Sequence, residues 1–134
     1  MKSMYYLTVR GYELDSFGHV NNAVYLQYAE AAKWDFFSRC GVLEKMQEQG
    51  YFPVVLENQL RYMHELRMLD TVQIETTWKC GNSITEYVHI MRNEKTGQVA
   101  CKVSGKLVYV NQERIICDIP DFIRQQMERT EHED

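Results

Sequence analysis

The sequence predicts an α+β domain in which a curved, mostly antiparallel five-stranded sheet wraps one long helix, with a short helix near the C-terminus. Three observations carry this. Residues 23–37 are so apolar that only Gln27, Glu30, Lys33 and Asp35 interrupt them, which asks for burial on most sides. Five other segments read as strands, and turn residues join the last three as hairpins.

In chain order, residues 4–13 are rich in Tyr, Thr and Val and read as the first strand. Asp15, Ser16, Phe17 and Gly18 follow, with Asp and Gly where a type I turn prefers them. Asn21 suits the N-cap of the long helix, with Val20 and Tyr25 as a hydrophobic staple, and Cys40 and Gly41 mark its end. A short connection containing Gly50 and Pro53 leads to strands at 54–62, 71–79, 83–92 and 99–110. Gly81 and Asn82 fit a tight turn, and residues 93–97 a longer one. Val99, Cys101, Val103, Leu107 and Tyr109 share a face with Gly105, whose bare backbone admits a close neighbour, expected to be the long helix. Pro120 fits the first turn of the short helix, which runs into a charged tail at 128–134.

A chain of 134 residues is one domain, 1–134, able to bury roughly two-thirds of its unfolded surface. It is 45% hydrophobic and 25% charged, as soluble globular proteins are. A net charge of −4 offers no global field for nucleic acid or an anionic membrane, so an anionic ligand needs a local basic patch. Cys40, Cys80, Cys101 and Cys117 fall in no zinc-ligand spacing, and reduced thiols in the cytoplasm are expected, with no metal and no cofactor. No segment approaches the ~20 apolar residues of a membrane span. A five-stranded sheet around one helix is the hot-dog architecture, and its edge strands need cover, so a homodimer is the minimum expectation.

Chemistry-bearing residues concentrate at 15–25. Asp15 precedes a helix start, where unpaired N–H groups with partial positive charge can hold a carbonyl that becomes an oxyanion. A carboxylate there can attack a carbonyl or activate water. The same residues also admit a purely structural account, in which Asp15 opens a turn, Gly18 closes it, Asn21 caps the helix and His19 is a hydrogen-bonded structural residue.

The stretch VRGYELDSFGHVNNAVYLQYAEAAKWDFF resembles the hot-dog thioesterases of the hydroxybenzoyl-CoA thioesterase family, and its RGY.LD...HVNNA.YL pattern is most similar to the bacterial long-chain acyl-CoA branch. The resemblance implies hydrolysis of acyl-CoA thioesters, with Asp15 as the catalytic carboxylate, the backbone N–H of Asn22 on the thioester oxygen, and His19 and Asn21 orienting the aspartate or a water. It also implies a homodimer or homotetramer with active sites between subunits. Phe17 stands where plant acyl-carrier-protein thioesterases carry an asparagine. Another hot-dog branch uses a glutamate on the helix, which makes Glu30, two turns beyond Asn22, a rival to Asp15; its structural alternative is an i,i+3 pair with Lys33. For the coenzyme's negative charges, Arg61, His64 and Arg67, or Lys102 and Lys106, are the candidates, and Tyr25, Tyr28, Met63 and Met68 are candidates to line an acyl tunnel. Hydrolysis of acyl-carrier-protein thioesters, enoyl-CoA hydration and non-catalytic acyl-thioester binding are the alternative functions.

Overall fold

The computed structural model describes residues 2–129. Its elements are β1 (Lys2–Thr8), α1 (Val24–Arg39), α2 (Val42–Gln49), β2 (Phe52–Tyr62), β3 (Thr71–Cys80), β4 (Thr85–Asn93), β5 (Val99–Val110), β6 (Ile116–Cys117) and α3 (Asp121–Met127). The strands form one antiparallel sheet in the order β1-β3-β4-β5-β2, with β6 beside the end of β5. The α+β class and the helix-on-sheet arrangement expected from sequence are what the chain adopts.

Several boundaries differ, each for a local reason. The first strand stops at Thr8, and Gly11–Glu13 forms a 3-10 turn. The Glu13 carboxylate there accepts bonds from the backbone and guanidinium of Arg10 and from the hydroxyl of Tyr28. Residues 42–49 form a helix where a plain connection was expected; Val42 and Met46, at i,i+4, are its buried face, and Gly41 and Gly50 end it at φ 77 on either side. The two-residue β6 gave no sequence signal because its pairing with Tyr109 and Val110 is wholly non-local. Pro120 caps α3 rather than entering it, its carbonyl accepting from Ile123 and Arg124. The expected charged tail lies mostly outside the described residues, which reach Arg129.

Helix α1 buries Val24, Tyr25, Tyr28, Ala29, Ala32, Phe36 and Phe37, leaving Leu26 and Trp34 exposed. Lys33, read from sequence as part of the outer polar stripe, is buried, and its ammonium reaches Glu30 at 2.9 Å. Two apolar clusters result. One joins the start of α1 to Leu66, Ile74, Met91 and Val103, and the other joins its end to α2, α3, Trp78 and Tyr109.

The neighbour admitted by Gly105 is not the helix. Tyr87 and Asn58, its partners on β4 and β2, lean over it from both sides and hydrogen-bond to each other, so a Cβ there would overlap both. Pro53 sits in β2, an edge strand, where a missing N–H is tolerated.

Candidate active site

The approach to α1 is a small, tightly bonded loop. Leu14 bridges Val20, the N–H of Asp15 donates to the His19 carbonyl at 2.7 Å, and that of Asn21 to Glu13 at 2.9 Å. The Asp15 to Gly18 turn closes as expected, with Gly18 at φ 82 and its N–H on the Asp15 carbonyl. One carboxylate oxygen of Asp15, Oδ1, accepts the N–H groups of Phe17 at 2.9 Å and His19 at 3.2 Å. Its other oxygen has no hydrogen-bond partner among the described residues.

Asn21 opens the helix from just outside it. Its Oδ1 accepts the Ala23 N–H at 3.0 Å and its carbonyl the Val24 N–H at 2.9 Å, so the boundary residue is Ala23 rather than Asn21. Val20 and Tyr25 are both buried in the same apolar cluster. Asn22, between them in sequence, is exposed, and its N–H has no acceptor among the described residues. The residue is held from the other side by Tyr62, whose hydroxyl donates to the Asn22 carbonyl at 3.2 Å.

These residues surround a cleft of about 230 Å³ lined by Asp15, His19, Val20, Asn22, Tyr25 and, from the end of β2 and the segment after it, Tyr62 to Glu65. The loop before α1 and residues 64–67 are bonded together: the Val20 N–H donates to the Leu66 carbonyl and His19 bridges Arg67. Tyr25 and Tyr62 meet edge-on at 5.4 Å and form an aromatic wall. Burial pushes the Tyr25 hydroxyl up to about 12, so it stays protonated and acts as a neutral group.

Of the residues singled out from sequence, Asp15, His19, Asn22, Tyr25, Met63 and His64 line this cleft. Asn21, Arg61 and Arg67 do not; Asn21 is occupied by the helix start, and Arg61 faces Lys102 across strands β2 and β5. Arg67 binds Glu65, which does line the cleft and which sequence reasoning passed over. Lys106 pairs with Glu57, and Tyr28 serves Glu13 in the core. Glu30 stands apart from the cleft with both oxygens taken, one by Lys33 and one by the indole N–H of Trp34 at 3.0 Å.

Glu13, missed from sequence because only the fold brings Tyr28 to it, is the buried carboxylate of this region. Burial alone would raise its proton affinity, but the bonds from Arg10 and Tyr28 outweigh that and hold it below the ordinary carboxylate range. A larger cleft of about 460 Å³ lies at the far end of α1, lined by Lys2, Ser3, Met4, Phe36, Arg39, Cys40, Gln126 and Arg129; among the described residues no carboxylate lines it. Among the described residues no cluster of His, Cys, Asp and Glu has metal-holding geometry, and no helix is long and apolar enough to cross a membrane.

A helix start with a free N–H beside a half-engaged carboxylate is a site suited to carbonyl chemistry, and comparison with known proteins agrees with the fold that carries it. The pattern of the thioesterase-like superfamily matches residues 9–127, and the chain belongs to that family. Protein THEM6 of Xenopus laevis is 30% identical over 119 residues, covering 87% of this chain and 54% of THEM6. The long-chain acyl-CoA thioesterase FadM of Escherichia coli K12 is 34% identical over 68 residues, covering 51% of this chain and 52% of FadM. The chain thus spans about half the length of each relative. The crystal structure of the probable thioesterase YbaW from Escherichia coli superposes with a TM-score of 0.84 at 24% identity, over 93% of this chain and 96% of that one, and shares the hot-dog fold.

Proposed function

We propose that this chain hydrolyses acyl-CoA thioesters, medium- to long-chain fatty acyl groups foremost, to the free acid and coenzyme A. The observation that carries the reading is one cleft lined by both the Asp15 carboxylate, with one oxygen unpaired, and the unpaired N–H of Asn22. The family, and the activity named for FadM, point to the same chemistry.

In this reading the thioester carbonyl oxygen rests on the Asn22 N–H. Either Asp15 attacks the carbonyl carbon, the C–S bond breaks, and water hydrolyses the resulting anhydride, or Asp15 takes a proton from water, which attacks directly. Both routes pass through a tetrahedral oxyanion, and a helix-start donor stabilises that more than it does the neutral carbonyl. The leaving thiolate takes up a proton and departs as coenzyme A.

Thiol release measured with Ellman's reagent over acyl-CoAs of increasing chain length tests this. Asp15→Asn keeps an oxygen for the Phe17 and His19 N–H groups, so the loop should persist while turnover falls about 100-fold or more. Full activity in Asp15→Asn, or no thiol release from any acyl-CoA, overturns the reading.

Two or four copies are expected in the active form. Strand β2 is an unpaired edge exposing Phe52, Val54 and Leu56, a surface that a second β2 would cover. Light scattering should give twice or four times the 15.9 kDa chain mass, and a monomeric mass in an active preparation would exclude it. All four cysteines are free, as a reducing compartment such as the cytoplasm would keep them.

A further inference from the structure

The His19 ring is held from outside the loop that carries it. Its Nε2 lies 2.9 Å from Oε2 of Glu65, and the other oxygen of Glu65 lies 2.7 Å from Nη2 of Arg67. The backbone of His19 is fixed too, its carbonyl on the Asp15 N–H, its N–H on the Asp15 carboxylate, and its strand bridge to Arg67. Both oxygens of Glu65 are therefore committed, and the imidazole is tied at one nitrogen. The other nitrogen, Nδ1, has no partner among the described residues, and the ring lines the cleft that holds Asp15.

Which nitrogen of a neutral imidazole carries the proton is decided by the hydrogen bond made at the other. A carboxylate accepting from Nε2–H leaves Nδ1 as a lone-pair acceptor. We propose that Glu65, itself steadied by Arg67, is a positioning residue that holds His19 in the Nε2–H tautomer and presents Nδ1 to the cleft as the acceptor that orients the hydrolytic water beside Asp15. The proposal rests on the thioester-hydrolase reading above. The Arg67 bond also keeps Glu65 below the usual carboxylate range and so ionised. An exposed pair of this kind contributes little to folding, which fits a role in orientation.

The test is a double-mutant cycle joined to ring spectroscopy. Glu65→Ala should lower kcat about tenfold with KM little changed, since misplacing a group near the chemistry is costly in rate. Glu65→Gln, which keeps an acceptor, should recover most of that loss. In a His19→Ala background, Glu65→Ala should cost less than about twofold further, because two residues that act as a unit are not additive. Equal losses in both backgrounds, or an unchanged kcat in Glu65→Ala, overturn the proposal. Independently of turnover, ¹⁵N spectra of histidine-labelled protein, with the His19 signal assigned by its loss in His19→Ala, should show an unprotonated Nδ1 in the native chain and a tautomer mixture in Glu65→Ala. An unchanged ring spectrum overturns the proposal even if Asp15→Asn has already removed the hydrolase reading, so the two failures are told apart.

Discussion

Tyr62 and Asn22, 40 residues apart in the chain, are joined by a hydrogen bond from the Tyr62 hydroxyl to the Asn22 carbonyl at 3.2 Å. The last residue of β2 thereby steadies the residue whose N–H is the candidate oxyanion donor. Tyr62→Phe removes that bond and keeps the edge-on contact with Tyr25. A typical net hydrogen bond of about 0.5–1.5 kcal/mol corresponds to a two- to tenfold loss of kcat, with thermal stability nearly unchanged. Steady-state kinetics with a fixed acyl-CoA checks it.

Glu30→Gln separates the two carboxylates. Its oxygens serve Lys33 and Trp34 rather than the cleft, so kcat should stay within about threefold of native while stability falls by about 1–3 kcal/mol as the buried ammonium loses its counter-charge. Denaturant unfolding and thiol release on the same preparation read both quantities. Loss of turnover with stability intact would move the chemistry to the helix carboxylate.

Gly105→Ala should destabilise by about 1–3 kcal/mol, because the new methyl overlaps the Tyr87 ring and the Asn58 carboxamide between three paired strands. Guanidinium denaturation measures this. A neutral result would mean that β2 can move away from β5 at little cost.

His89 makes folding stability depend on acid. It is buried on β4 with Nδ1 2.6 Å from Thr76 of β3, and burial first, then the charge of Lys33, lower its proton affinity from 6.5 to about 4. A lowered histidine binds fewer protons folded than unfolded, so stability is full above about pH 6.5 and declines as pH falls toward 4, by up to about 3 kcal/mol. His89→Gln, which can still meet Thr76, should be less stable at neutral pH and show a flatter profile across that window. Unfolding free energies measured from pH 7 to 4 decide it.

The core was legible where local pattern and tertiary role coincide. Dense apolarity marked α1, turn residues between strand-like runs marked β3 to β5, a shared face marked β5, and Gly18 and Asn21 announced the turn and helix start before any contact was known. What stayed hidden was set by packing that no local pattern displays. Lys33 reads as a surface lysine and is buried because Glu30 neutralises it; Gly105 reads as room for a helix and is roofed by Tyr87 and Asn58; and residues 42–49 form a helix whose Val42 and Met46 joined no longer periodic run.

The same division runs through the site. The sequence by itself determined the Asp15 to Asn22 cluster, because a turn, a cap and a helix start are local events governed by neighbouring residues. Only the tertiary structure decided what surrounds that cluster. The antiparallel path of β2 and the loop after it delivers Tyr62 to the Asn22 carbonyl and Glu65 to the His19 ring, while Arg61 remains outside the cleft. The physical reason is range: caps and turns are closed by bonds a few residues apart, whereas the walls of a cleft depend on strand register and side-chain burial summed over the whole sheet.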